Sequence, residues 1–168
     1  MRLKLILIML LLCTGFAAGQ DVPLGQGLTV GGAGGVAFMD NSGIDARASA
    51  WFHVTKFLDR TWGLSVLVQG VPMSVLGADF ALAGDPGVVA RVAKGRVLFR
   101  AGPSILMPFG GGEGAQAHLG GHVGIAWAPL DLGKVSFYIQ GIQHFYSVNG
   151  SFVRYPGVGI GLTTLGRP

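Results

Sequence analysis

Side chains alternate between the two faces of a strand, so a strict period of two commits a segment to β structure and gives it two faces of different character. From Ile44 to Thr55 the even positions read Ile44, Ala46, Ala48, Ala50, Phe52 and Val54, and the odd ones Asp45, Arg47, Ser49, Trp51, His53 and Thr55. From Arg96 to Met107 the apolar face is Val97, Phe99, Ala101, Pro103, Ile105 and Met107; from Gln116 to Trp127 it is Ala117, Leu119, Gly121, Val123, Ile125 and Trp127. Eight segments are read this way: residues 27–38, 44–57, 62–72, 86–93, 96–107, 116–128, 134–146 and 153–164. Glycine supplies 30 of the 168 residues. An interior Gly costs about 1 kcal/mol relative to Ala in a helix, which weighs against a helical bundle. The absence of a three-residue period excludes collagen, and 50% hydrophobic residues exclude a disordered chain.

The connections at 58–61, 94–95 and 129–133 are short, whereas those at 39–43, 73–85, 108–115 and 147–152 are richer in Gly, Asn, Ser or Asp. Tight turns at one end and longer loops at the other are expected of an up-and-down barrel, and eight strands bring both chain ends to the tight-turn side. Charged residues make up only 12% of the chain, about half the globular norm. With so few solubilising groups, the mixed faces of Gly, Ser, Gln, His and Arg read as a crowded interior. The apolar faces then read as the outside, in contact with lipid. Closure pairs every backbone group at membrane depth without an open edge. Phe38, Phe57, Trp62, Trp127, Phe145 and Tyr146 fall near strand ends, as interfacial girdles would. The opposite orientation, with the apolar faces inward, is a soluble barrel that binds an apolar ligand.

The first nineteen residues have the order of a secretory signal: Arg2 and Lys4, an apolar run to about Leu12, then Ala17-Ala18-Gly19. Cleavage is expected after Gly19, with residues 20–168 as one mature domain. The apolar run is too short to span a bilayer as a helix. Leu12 is not the small residue a lipobox requires before Cys13. Of the 12 Lys and Arg, Arg2 and Lys4 fall in the leader, leaving ten against 8 acidic residues. That charge is too weak and dispersed for a nucleic-acid footprint.

A leader, eight alternating strands and a Gly-rich closing strand make the chain resemble the small bacterial outer-membrane barrels of the OmpA, OmpX and opacity-protein type. Their closing strand carries an assembly signal, and Tyr155, Gly157, Ile160 and Leu162 match its polar, Gly, apolar, apolar spacing. The usual terminal aromatic is missing, since the chain ends Gly166-Arg167-Pro168. The resemblance implies a closed eight-stranded antiparallel up-and-down transmembrane β-barrel. It also implies outer-membrane lipid and the barrel-assembly machinery as partners, and a structural, surface-interaction or minor-pore role. Surface ligands would be met by loops 39–43, 73–85, 108–115 and 147–152.

The candidate site is the polar interior. Parity places Asp45, Arg47 and His53 inside, together with Gln69, Arg91 and Arg96. It adds Arg100, His118, His122, Gln140 and His144 from the later strands. Asp45 is the one acid that parity places among these arginines, with Asp79 and Glu113 available from loops. His118 and His122 share a face but lie about 13 Å apart at roughly 3.3 Å per residue, too far for one metal ion. A hairpin turning about Asp131 sets His118 opposite His144, and Gly124 opposite Tyr138. No metal or cofactor is expected. His144 and Ser147 loosely resemble the pair of a lipid A deacylase barrel. That family spaces the two residues by two, and a spacing of three puts them on opposite faces. Gly110–Gly114 lacks the Lys-Ser or Lys-Thr of a phosphate loop. Gly31–Gly35 and the glycines at 157, 159 and 161 read as space left for long side chains from other strands.

Overall fold

The structure is a computed structural model, and it describes residues 27–40, 44–71, 80–93, 96–110, 116–132, 135–148 and 150–164. Eight strands follow in chain order: β1 (Gly27–Asp40), β2 (Ile44–Phe57), β3 (Trp62–Val71), β4 (Phe80–Val92), β5 (Val97–Phe109), β6 (His118–Asp131), β7 (Val135–Val148) and β8 (Ser151–Thr164). Each pairs antiparallel with its neighbour, and β1 pairs with β8, so the sheet closes as an up-and-down barrel. The leader, Cys13, Asp79 and Glu113 lie outside the described residues.

Period-two alternation does what the sequence requires of it. The outward face is largely apolar, exposed on β3 at Leu64, Val66 and Val68 and half-buried along most of β7. The other is buried, as with Ser65, Leu67 and Gln69 between them. Small residues make this possible. On the inner face, a Cβ built at Gly35 or Gly159 would lie 2.6 or 2.3 Å from the Trp51 ring, and one at Gly31 would lie 2.5 Å from His53. The glycines of β1 and β8 therefore seat the bulk projecting from β2.

Three expectations about strands and connections need correction. The fourth strand begins at Phe80 rather than at residue 86, so residues 80–85 of the expected 73–85 loop belong to it. Gly84-Asp85-Pro86-Gly87, whose first two residues fall in the expected loop, runs wholly within the strand. Its pairing to β5 lapses between Gly84↔Ile105 and Val88↔Ala101, where the register would set Pro86 opposite Pro103 and neither has an N–H to give. The expected long loop at 147–152 is a two-residue turn: Val148 pairs with Ser151. Gly150 has φ 77°, the left-handed conformation such a hairpin needs. Phe57 and Tyr146 are not girdle residues, because both point inward and are 3% and 1% exposed.

The tight-turn end is built by local hydrogen bonds. Asp59 Oδ1 accepts the backbone N–H groups of Trp62 and Thr61, both at 2.6 Å. These two bonds, with the nearby Arg91 charge, hold its carboxyl below the usual carboxylate range. Arg91 lies over the Phe57 ring at 3.4 Å and donates to the Asp59 carbonyl at 3.1 Å, capping the interior at this end.

Candidate functional site

The interior is stacked in layers. Toward the loop end, Ala37, Ala81, Ala83 and Leu106 pack with Val148 and the rings of Tyr146 and Tyr155. Below them lies a polar cluster centred on Asp85, which is fully buried. Its Oδ2 accepts from His144 Nε2 at 2.8 Å, and its Oδ1 accepts from the Ser104 hydroxyl. Tyr146 OH lies 2.5 Å from Ser104 Oγ, so with the Ser104 proton on Asp85 the tyrosine is the donor. His122 Nδ1 stands 3.9 Å from the same carboxylate and donates to the Pro103 carbonyl at 3.1 Å. His144 is stacked against Tyr155, with ring centroids 4.6 Å apart. One carboxylate thus organises side chains from β5, β6 and β7.

Asp85 is the site residue that the sequence reading missed. Parity makes Asp45 the interior acid, whereas Asp85 occupies that role among the described residues; the Asp45 side chain is outside them. A signal was available in the inward positions Ala81, Ala83, Asp85, Gly87, Val89 and Arg91, which keep strict odd parity.

The histidine pairing also differs from expectation. His122, not His118, faces His144, and Gly124 faces Ile142 rather than Tyr138. The register slips between Trp127 and Leu130, where a bulge absorbs an extra residue of β6. His118 opens β6, half-buried and opposite Leu106. The rings of His122 and His144 are 6.2 Å apart. Among the described residues no group of three His, Cys, Asp or Glu side chains is arranged to hold a metal ion.

Below the polar cluster, Trp51, Leu67 and Ile142 form a second apolar layer. Gln69 lies beside it, and its Nε2 donates to Ser49 Oγ at 2.8 Å. Next come Arg100, Gln140, Tyr138, His53 and Thr163, around a cavity of about 30 Å3. Tyr138 OH lies 3.4 Å from His53 Nδ1, and His53 Nε2 lies 3.2 Å from Thr163 Oγ1. Arg47 sits half-buried on the inner face of β2. Arg96 lies not within a strand but in the turn before β5, where it donates to the Pro129 carbonyl at 3.3 Å. In β8, Tyr155 and Gly157 face the interior while Ile160 and Leu162 face outward.

The chemistry available here is limited by connectivity. A nucleophilic serine needs a base within hydrogen-bond reach of its hydroxyl. Ser104 bonds to the carboxylate rather than to an imidazole. Ser147 is exposed while His144 is fully buried, so these two share no site.

Architecture and interior together define a closed eight-stranded antiparallel barrel with an apolar exterior and a packed polar interior. The chain is similar in structure to Neisserial surface protein A (NspA), with a TM-score of 0.57 and 13% sequence identity, over 82% of this chain and 96% of that one. No family model matches the chain, and no curated protein resembles it in sequence.

Proposed function

We propose that this chain is an integral outer-membrane barrel that acts as a structural or surface-interaction protein, not as an open pore and not as an enzyme. The observation that carries this reading is the filled interior. Tyr138, Tyr146 and Tyr155 are at most 2% exposed, as are Leu67, Gln69, Asp85 and His144 at successive levels. The exposed belt of Leu64, Val66, Val68, Val123, Ile125, Val158, Ile160 and Leu162 suits acyl chains. Likeness to a surface protein supports placing the interaction at the loop end. There the two longer connections, 72–79 and 110–117, and the short 41–43 link leave the barrel. Recognition by the assembly machinery through Tyr155, Gly157, Ile160 and Leu162 belongs to the same proposal.

Two measurements test it. Val66 is 51% exposed in the middle of β3. Val66→Arg is expected to destabilise the barrel in phospholipid vesicles by about 2–4 kcal/mol, the cost of Arg on the lipid face at mid-depth. A soluble barrel would tolerate the same exposed charge, so an unchanged unfolding midpoint in urea overturns the membrane reading. In planar bilayers the purified barrel is expected to give no conductance steps. Steady unitary currents, abolished by a bulky substitution at the inward Gly87, would replace the closed reading with a pore.

A further inference from the structure

Among the described side chains on the outer strand faces, Lys56 of β2 and Arg154 of β8 are the charged ones, and both are exposed. Their heights follow from the register. Stepping across facing residues from Val153 once round the barrel returns to β8 at Thr163, ten residues nearer the tight-turn end. With eight strands about 4.8 Å apart and about 3.3 Å per residue, that stagger sets a strand tilt of about 40°. Each residue then rises about 2.5 Å along the axis, and each step to the next strand shifts the level by about 3 Å. Six such steps lead from Arg154 to Val54, and Lys56 lies two residues beyond it. The two cations therefore differ in height by about 24 Å, close to the roughly 25 Å of an outer-membrane apolar band. Arg154 marks the edge of the band at the loop end, and Lys56 marks its edge at the tight turns.

The setting of Arg154 is aromatic. Phe145 lies directly opposite it on β7 and stacks on Phe152, with ring centroids 5.9 Å apart. Phe152 is 70% exposed. Aromatic rings at the rim of a membrane protein sit at headgroup level. No acid among the described side chains forms an ion pair with Arg154. The β1–β8 pairing ends at Ala37↔Gly157, before its register would bring Asp40 opposite Arg154. An arginine can lay its stem along apolar surface and keep its head in the polar layer. Its planar fork then meets a phosphate with two parallel hydrogen bonds, which the compact ammonium of a lysine does not offer. Resting on the outer-membrane reading, we propose that Arg154, flanked by Phe145 and Phe152, is a docking site for an anionic lipid, held by its headgroup phosphate at the loop-end edge of the apolar belt.

Tryptophan quenching in phosphatidylcholine vesicles tests this. Trp51 points inward, and Trp62 and Trp127 lie toward the tight turns, so Phe152→Trp adds a reporter beside Arg154. The fluorescence it adds to that of the parent is titrated with chain-brominated phosphatidylglycerol or chain-brominated phosphatidylcholine. The phosphatidylglycerol is expected to occupy this position about threefold better, the factor that one exposed ion pair supplies. Adding Arg154→Gln should erase the preference, and adding Lys56→Gln should leave it, because Lys56 serves the other edge. Equal quenching by the two lipids with Arg154 in place overturns the proposal, as does a preference that survives Arg154→Gln. A preference that appears only after Asp40→Asn commits Arg154 to that acid and overturns it too. So does one abolished by excess inorganic phosphate but not by the same ionic strength of chloride, since the site then takes phosphate from solution. If neither lipid quenches the added tryptophan or the exposed Trp62, the membrane reading itself fails and the proposal with it.

Discussion

Replacing Asp85 by Ala is expected to lower the unfolding free energy by about 3–5 kcal/mol, the scale for removing one member of a buried polar or ionic set. The cost comes from what is stranded. His144 Nε2–H loses its 2.8 Å acceptor and the Ser104 hydroxyl loses the acid it donates to, both out of reach of bulk water. Each buried donor left unsatisfied costs about 1–3 kcal/mol. Asp85→Asn is a milder version, since its amide nitrogen cannot accept and one of the two donors must go unmatched. Removing the partners as well should restore part of the loss. In the triple variant Asp85→Ala, Ser104→Ala, His144→Phe the two donors stranded by the loss of Asp85 are gone, and the Tyr146 O–H that donated to Ser104 is the one left to find another acceptor. A Phe ring at 144 can keep the stack on Tyr155. Urea unfolding in vesicles, followed by tryptophan fluorescence, reads all three. If the triple variant is less stable than Asp85→Ala by the sum of the separate losses, the network is not coupled and Asp85 is not its organiser.

How legible this site was in the sequence follows from how each residue announces itself. Period-two alternation fixes parity, and parity alone places His53, Gln69, Arg100, His122, Gln140 and His144 on inner faces. Parity cannot fix register between strands. The β6–β7 partner of His144 therefore depended chiefly on where the hairpin turns, between Asp131 and Ser136 rather than about Asp131, and by one residue on the bulge between Trp127 and Leu130; neither leaves a mark in the hydrophobic pattern. Nor can local signals be trusted where tertiary pairing overrides them. Gly84-Asp85-Pro86-Gly87 has the composition of a turn, yet β3 on one side holds it extended through Asp85↔Leu67 and Pro86↔Val66. Placing residues 73–85 in a loop hid the acid that ties the interior together. Phe57 and Tyr146 misled for a different reason. An aromatic near a strand end fits a girdle by position, but odd parity on β2 and even parity on β7 send these two inward.

Gly159→Val is expected to stop the barrel from closing. Gly159 sits on the inner face of β8, opposite Gly35 of β1 and Gln140 of β7. The indole of Trp51, itself 3% exposed, lies directly against it. A Cβ at 159 would fall 2.3 Å from Trp51 Cζ3 and 3.0 Å from the Gly34 carbonyl oxygen. The ring has nowhere to retreat, since Cβ atoms at Gly35 and Gly157 would also touch it, at 2.6 and 3.1 Å. Overpacking a filled core typically costs about 1–3 kcal/mol per intrusion. Here the intrusion falls on the β1–β8 seam that closes the sheet, so the loss is expected to show as failure to close rather than as a lower midpoint. A closed barrel resists SDS until heated and migrates differently afterwards, so the folded band should be missing for Gly159→Val. Trp51→Ala alone leaves a cavity and should cost about 3–5 kcal/mol while keeping the folded band. In the double variant, space vacated by the indole receives the valine, and the folded band should return. A folded band for Gly159→Val by itself would mean that the β1 and β8 glycines are not what makes room for Trp51. A double variant that stays unfolded would place the obstruction at the Gly34 backbone instead of at the ring.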